Sequence, residues 1–140
     1  MENGKKKLIW FVDDEVIIAR MLKYDLDKRG YECEIFPSVD KAAEELEKRK
    51  PDLIITDYNT GAGMNGLDLL KKAGDIPVIM QSGTDNIKLA DGREVSLESE
   101  AKKNGVRHFL KKPFDVKKLL DAIYEVLPEP TVISLETRTR

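Results

Sequence analysis

The chain is short of the residue types from which many functional sites are built. Its 140 residues include one cysteine, Cys33, and one histidine, His108. A single cysteine excludes an internal disulfide and a cysteine-based metal cluster. A single histidine leaves no second histidine for a metal pair or a catalytic triad. We therefore predict that His108 is structural or exposed, and that Cys33 is a packed edge-strand residue rather than a reactive thiol.

Long apolar runs and an excess of charge of one sign are also absent. Three lysines precede the apolar run from Leu8 to Val12, but five residues are too few for a signal peptide or a membrane span. A net charge of −2 gives no electrostatic case for direct nucleic-acid binding. We therefore predict no membrane association and no nucleic-acid binding, with a cytoplasmic location.

The length and composition are typical of one globular domain with a heavily charged exterior. Hydrophobic residues make up 41% of the chain and charged residues 36%. A domain of this size needs no disulfide or structural metal ion in order to fold. We assign residues 1–127 to the domain, because prolines at positions 128 and 130 follow the last helical pattern. Residues 128–140 form a tail or the start of a linker, so the protein is a stand-alone unit or part of a larger chain.

Five short apolar segments alternate with five helical patterns along the chain. The predicted strands are residues 8–12, 31–36, 51–57, 77–81 and 108–111. This alternation predicts a parallel sheet covered by helices on both faces. The second strand alternates polar and apolar residues, which places it at a sheet edge, and the short fifth strand takes the other edge. The sequence thus predicts a flavodoxin-like α/β fold with strand order 2-1-3-4-5.

Two helical regions carry specific expectations. In the first helix, residues 15–29, we predict that Ile18, Leu22 and Leu26 form the inward stripe. The long segment between the fourth and fifth strands is polar and contains an Asp91-Gly92 turn signal. For residues 84–104 we predict an irregular first half, followed by a helix of two to three turns that begins near Ser96.

Polar side chains follow or end four of the predicted strands. They are Asp13 and Asp14, Asp57, Ser82, and Lys112. Alone, each has an ordinary explanation, because aspartates favour helix N-termini and lysines and serines are common in exposed loops. The carboxyl ends of parallel strands, however, meet at one edge of the sheet, where ligands bind. Their coincidence at four strand ends therefore predicts a functional site.

The chemistry of this group of residues favours phosphoryl transfer. Two carboxylates about 4 Å apart repel by about 4 kcal/mol at an effective dielectric constant near 20, so three of them need a cation. Ligands that are all oxygen atoms favour Mg²⁺ over a transition metal. Mg²⁺ beside a lysine and a hydroxyl suits a phosphoryl group, and an aspartate can itself be the nucleophile, giving an aspartyl phosphate.

Short motifs in a fixed order identify a family that the chain resembles. They are Val12-Asp13-Asp14-Glu15, Asp57, Met64 through Leu70, Ser82-Gly83, and Gly105 through Phe109 leading to Lys112-Pro113-Phe114. From residue 8 to residue 127 the chain resembles the receiver domains of two-component response regulators, including the chemotaxis regulators. The resemblance implies a cytoplasmic, phosphorylation-dependent signalling switch.

The resemblance also implies a role for each site residue. Asp57 would accept a phosphoryl group from the phosphohistidine of a sensor histidine kinase or a phosphotransfer protein. Asp14 would bind Mg²⁺ directly, Asp13 mainly through water, and the backbone carbonyl of Asn59 would be a further ligand. Three more residues complete the set, namely Lys112 paired with the phosphoryl group, Ser82 hydrogen-bonded to it, and Phe109 as the aromatic side chain that changes rotamer. The Lys112-Pro113 peptide bond would be cis.

As a member of this family, the chain would not be an enzyme in the usual sense. Its chemistry would be Mg²⁺-dependent self-phosphorylation and self-dephosphorylation at Asp57 only. Phosphorylation would shift the surface near the fourth helix, the fifth strand and the fifth helix, where a downstream output protein or domain would read it.

Two stretches depart from the family pattern. Receivers usually have Met-Pro three residues after the phosphorylated aspartate, whereas this chain has Thr60-Gly61-Ala62-Gly63 and a loop, residues 58–65, that is one residue longer. The stretch from Ser82 to Lys112 is also longer than usual. A degenerate receiver that binds partners without phosphorylation is therefore an alternative. An aspartyl-phosphate hydrolase ranks last, because Asn59 stands where such phosphatases need a second acid.

Overall fold

The computed structural model describes residues 6–61, 63–113 and 115–128. Ala62 of the unusual loop, Phe114 of the last motif and residues 129–140 of the predicted tail lie outside the described residues. The assignment of residues 1–127 to one domain stays a prediction.

Seven strands and five helices make up the described chain. The strands are β1 (Leu8–Val12), β2 (Glu32–Phe36), β3 (Leu53–Asp57), β4 (Val78–Ser82), β5 (Asn86–Lys88), β6 (Glu94–Ser96) and β7 (His108–Lys111). The helices are α1 (Val16–Lys28), α2 (Val39–Leu46), α3 (Gly66–Ala73), α4 (Leu97–Lys103) and α5 (Val116–Val126).

Five of the strands form one parallel sheet in the order β2-β1-β3-β4-β7. This is the predicted order 2-1-3-4-5, since β7 is the fifth strand once the β5-β6 pair is set aside. The three central strands are buried along nearly their whole length. Because both of their faces are buried, each appears in the sequence as a continuous apolar run. The flavodoxin-like fold is confirmed.

Side chains alternate across the sheet and divide the core into two clusters. Ile9 and Phe11 of β1 pack with residues of α1 and α5, whereas Trp10 and Val12 pack with residues of α2, α3 and α4. The period-two alternation of a strand produces this division. Helices therefore cover both faces of the sheet, as the alternation of segments predicts.

The inward stripe of α1 differs from the prediction in one residue. Leu22 and Leu26 are buried as expected, but Ile18 is 48% exposed and Ala19 takes the inner position. The outer side of this helix is itself apolar, with Ile17 and Met21 exposed. Apolar content alone therefore could not identify the inward face of α1.

The prediction of an irregular first half for residues 84–104 is wrong. Strands β5 and β6 form an antiparallel hairpin in which Ile87 faces Val95. The Asp91-Gly92 turn closes it, with Gly92 at a φ of 91° and its amide donating to the carbonyl of Leu89. The second half is as predicted, because the side chain of Ser96 caps α4, which is about two turns long.

The hairpin is linked at its base to α4 and to the main sheet. The amide of Leu97 donates to the carbonyl of Asp85 at 2.9 Å, and the Asp85 carboxylate pairs with the ammonium of Lys111 on β7. Ile87 packs against the core cluster that contains the inner side of α4. These contacts hold the hairpin beside β7 and α4.

The single cysteine and the single histidine of the chain take structural positions. Cys33 is buried on edge strand β2, and burial raises the pKa of its thiol to about 12, which makes it a poor nucleophile. His108 is paired with Glu125 on α5, with 2.6 Å between Nε2 and Oε1. Within the described residues, every helix is too short or too polar to cross a membrane. The cytoplasmic location stays a prediction.

Candidate functional site

Four strand ends bring the predicted polar residues together at one edge of the sheet. Asp13 follows β1, Asp57 ends β3, Ser82 ends β4 and Lys112 follows β7. One carboxylate oxygen from each of Asp13, Asp14 and Asp57 lies within 4.8 Å of the other two. We call these three residues the acidic triad. The predicted convergence at the carboxyl edge is thus present in the structure.

Asp13 is held by two hydrogen bonds. Its Oδ1 accepts from the backbone N–H of Glu15 at 2.9 Å, and its Oδ2 accepts from the Nε2 amide of Gln81 at 2.9 Å. The residue is 5% exposed, whereas the neighbouring Asp14 is exposed. The two adjacent aspartates therefore differ in environment, one fixed inside the site and the other open to solvent.

Lys112 bridges the triad from β7. Its Nζ lies 3.0 Å from Oδ2 of Asp57 and 3.8 Å from Oδ2 of Asp13. Its backbone amide donates to the carbonyl of Ser82 at 2.9 Å, and the peptide bond to Pro113 is cis, as the resemblance implies. One ammonium group thus serves two buried carboxylates.

The electrostatics of the site follow from its two buried carboxylates and its single ammonium group. Burial raises the pKa of both Asp13 and Asp57, and the charge of Lys112 offsets only part of that effect. Burial lowers the pKa of Lys112, but its hydrogen bond to Asp57 and the charges of both carboxylates outweigh burial, so that its pKa is raised. The lysine therefore stays charged while the carboxylates are destabilised as anions.

Ser82 and Phe109 occupy neighbouring strands. Ser82 is 2% exposed, and its Oγ accepts from the backbone N–H of Thr84 at 3.0 Å. Phe109 is half-buried on β7, opposite Met80 of β4. It borders a cavity of about 210 Å³ lined by residues of the hairpin base. Ser82 therefore lies at the site and faces Lys111 across the β4-β7 ladder. Phe109, which borders the cavity, stands two residues before Lys111 on the same strand.

The unusual loop after Asp57 is tied to helix α2. Thr60 accepts through its Oγ1 from the backbone N–H of Val39 at 2.9 Å, and Asp40 accepts from the N–H of Met64 at 3.0 Å. The side chain of Asn59 accepts from the N–H of Gly61 within the loop. The role of the Asn59 carbonyl as a ligand stays a prediction.

Gly66 allows the chain to pass close beneath Asp57. Its amide donates to the carbonyl of Tyr58 at 2.7 Å. A Cβ at this position would lie 2.8 Å from the backbone oxygen of Asp57 and 3.0 Å from the Cα of Tyr58. Only glycine fits without moving the backbone at the end of β3.

Two residues of the site region were missed by sequence reasoning. Gln81 belongs to a predicted buried strand, and the lone amide in that apolar run is a signal that it has a polar partner. Thr60 is predicted only as a departure from the family pattern. Its bond to α2, 21 residues earlier in the chain, has no local sequence signal.

The acidic triad fits a hard divalent cation. Its donors are all carboxylate oxygens, and in the described residues they form a group close enough to share one ion. Two of these carboxylates are buried with a single lysine to balance them. Mg²⁺ prefers such oxygen ligands and keeps several waters, and the exposed Asp14 leaves one side of the triad open to solvent.

Comparison with known proteins agrees with the geometry. The family model for the response regulator receiver domain matches residues 9–124. Nitrogen assimilation regulatory protein NtrX of Azorhizobium caulinodans is 32% identical over 117 residues, covering 80% of this chain and 24% of that protein. Sporulation initiation phosphotransferase F of Bacillus subtilis is 31% identical over 120 residues, covering 86% and 93%.

The same likeness extends to solved structures. A CheY-like response regulator receiver domain protein from Methanospirillum hungatei superposes with a TM-score of 0.71 at 28% identity, covering 86% of this chain and 93% of that one. The chain spans about a quarter of the length of NtrX and nearly all of phosphotransferase F. With this fold, this arrangement of strand ends and a match that covers most of its length, the chain belongs to the receiver domain family of two-component response regulators.

Proposed function

We propose that this chain is a phosphorylation-dependent switch in which Asp57 accepts a phosphoryl group from the phosphohistidine of a sensor histidine kinase or a phosphotransfer protein. The observation that carries the proposal is the contact between Lys112 and Asp57, with 3.0 Å between Nζ and Oδ2, inside the acidic triad. A carboxylate nucleophile with a fixed cation beside it, at the ligand-binding edge of the sheet, suits phosphoryl transfer.

The transfer requires little from the protein beyond positioning and charge. An Asp57 carboxylate oxygen forms the new O–P bond, the N–P bond of the phosphohistidine breaks, and the released imidazole nitrogen takes a proton from solvent. Lys112 keeps its proton, because its pKa is raised by the neighbouring carboxylates, and pairs with the oxygens of the transferred group. Self-dephosphorylation would be the only other reaction of the chain: water attacks the phosphorus, the O–P bond to Asp57 breaks, and inorganic phosphate leaves.

The acidic triad would hold Mg²⁺. Asp14 would bind it directly, Asp13 mainly through water, and Asp57 and the backbone carbonyl of Asn59 would complete the protein ligands. When bound, the ion supplies neutralisation of charge on the phosphoryl oxygens. The support for this assignment is the donor set itself, three carboxylates against one lysine.

The switch would run from Ser82 to Phe109. Ser82 would turn its hydroxyl from Thr84 towards the phosphoryl group, because a charged acceptor makes the stronger hydrogen bond. Phe109 would then move inward beside β4. The surface formed by α4, β7 and α5 would change, and a downstream output protein or domain would read it.

The partner that donates the phosphoryl group would be a protein that covers α1. Ile17, Met21 and Tyr24 are 71%, 67% and 66% exposed and lie on one side of this helix, at helical spacing. Helix α1 starts two residues after Asp14, so this apolar surface lies beside the mouth of the site. Exposed apolar side chains grouped in this way favour a protein contact.

The test is phosphorylation by a small phosphodonor with Mg²⁺, followed by intact mass measurement. We expect one phosphoryl adduct on the wild type and on Asp75→Asn, a control that removes an exposed aspartate away from the site. We expect none on Asp57→Asn or Asp14→Ala. No adduct on the wild type would favour the degenerate receiver, and turnover of a phosphomonoester would favour the hydrolase.

A further inference from the structure

Gln81 is the buried polar side chain of β4 that has no part in the function proposed above. It is 4% exposed and directly precedes Ser82. Its Nε2 donates to Oδ2 of Asp13 at 2.9 Å. A carboxylate can only accept hydrogen bonds, so the amide nitrogen is the atom that must face it.

We propose that Gln81 is a positioning residue that holds the Asp13 carboxylate in the acidic triad and keeps Lys112 paired with Asp57. The inference rests on the proposed function, because it concerns the affinity of the triad for Mg²⁺. Gln81 does not need to touch the ion or the phosphoryl group. It acts through Asp13.

The distances around Oδ2 of Asp13 support this role. This oxygen lies 2.9 Å from the Gln81 amide but 3.8 Å from Nζ of Lys112, whereas Nζ lies 3.0 Å from Asp57. The amide is therefore the closer of the two donors to this oxygen. Without it, the Asp13 carboxylate would turn towards Lys112, and a cation would have to break that ion pair in order to bind.

The backbone of Gln81 is fixed independently of its side chain. Its carbonyl accepts from the N–H of Tyr58 at 3.1 Å, and the residue is paired with Asp57 across the parallel β3-β4 ladder. A change of side chain therefore leaves the strand in place. The side chain also borders a cavity of about 400 Å³ next to Phe11 and Leu22, so an apolar side chain of similar length can be accommodated.

The experiment is a titration with Mg²⁺ alone, measured by calorimetry on the full chain. We expect Gln81→Met, which keeps the length but removes the donor, to weaken Mg²⁺ binding about tenfold, equal to about 1.4 kcal/mol. Gln81→Leu serves as a second variant should the first fold poorly. The control is Ile79→Val, which removes a methyl group on the same face of the same strand; we expect its Mg²⁺ affinity to match the wild type.

A second measurement separates positioning from general damage. The rate of phosphoryl uptake from a small phosphodonor should fall at low Mg²⁺ and return to near the wild-type rate at saturating Mg²⁺. Wild-type affinity for Mg²⁺ in both Gln81 variants would overturn the inference while leaving the proposed function intact. A wild type that binds no Mg²⁺ would overturn both, and the two failures are thus distinguishable.

Discussion

The Nζ of Lys112 lies 3.0 Å from Oδ2 of Asp57, and this contact joins the ends of β3 and β7 across the intervening strand β4, between residues 55 positions apart in the chain. The same ammonium group lies 3.8 Å from Oδ2 of the second buried carboxylate, Asp13. Because one cation serves two anions, the metal-free site stores unfavourable charge, and this has a measurable consequence for stability.

We expect Asp13→Asn to stabilise the metal-free protein at neutral pH, because it removes a buried charge that is costly to desolvate and leaves the Lys112 and Asp57 pair matched. The pKa of Asp13 is raised above its ordinary value of 3.8 by burial. The folded state thus binds the proton more tightly, and stability is lost as the pH rises from 3.8 through the raised value.

The advantage of Asp13→Asn should therefore be full at neutral pH and vanish below about pH 4. Urea unfolding without divalent cations, over a series of pH values, measures it. Asp75→Asn, at an exposed position, is the control and should match the wild type at every pH. An advantage that grew as the pH fell would contradict the argument.

Gly66→Ala should destabilise the fold by about 1–3 kcal/mol, the usual cost of inserting a methyl group where there is no room. The added Cβ would meet the backbone of Asp57 and Tyr58, neither of which can rotate away. Thermal unfolding measures the effect. Gly83→Ala is the matched control, because its Cβ would meet nothing closer than 3.9 Å, and equal losses in the two variants would disprove the explanation.

Thr60→Val should cost about 0.5–2 kcal/mol, the range for loss of a helix cap. The substitution keeps the shape of the side chain but removes the oxygen that accepts from the amide of Val39. Ser38→Ala removes the other side-chain acceptor at this end of α2, which serves Lys41. The two oxygens serve different amides of the same helix end, so each single variant should show its own loss in urea unfolding. No loss from Thr60→Val would show that the loop does not support the helix.

Ser82→Ala should still be phosphorylated on Asp57 but should populate the switched conformation less fully. A hydrogen bond to a charged acceptor is worth about 1.5–3 kcal/mol, whereas inversion of a two-state ratio from about 1:99 to 99:1 takes about 5.5 kcal/mol. Lys112 must therefore supply part of the remainder. NMR shifts around Phe109 in the beryllium fluoride complex measure the population, and identical shifts in the variant and the wild type would exclude the coupling.

The sequence predicted those parts of the fold whose signals are local and repeated. The central strands were readable because both faces are buried, and the site residues because each stands at or just after a strand end. The hairpin was missed because each of its strands has three residues and only one apolar side chain, Ile87 or Val95. Such segments are too short to show the alternation of apolar and polar residues that identifies a strand.

Other features depend on tertiary contacts that the sequence does not reveal. Helical spacing predicts that Ile18 faces inward, because an apolar residue in such a stripe is normally buried. In the structure the neighbouring Ala19 packs in the core instead, and Ile18 is half-exposed. The hydrogen bonds of Thr60 to Val39 and of Gln81 to Asp13 join residues 21 and 68 positions apart. Only the folded chain brings those groups into contact.

The two outer strands of the main sheet bear on how the protein behaves at high concentration. Strand β2 has five residues and carries two glutamates, of which Glu34 is bonded to Arg49 at 2.6 Å. Strand β7 has four residues, and Lys111 at its end is paired with Asp85 of the hairpin base. Short edge strands with charged side chains are poor templates for pairing with another strand. Both edges of this sheet therefore disfavour edge-to-edge aggregation.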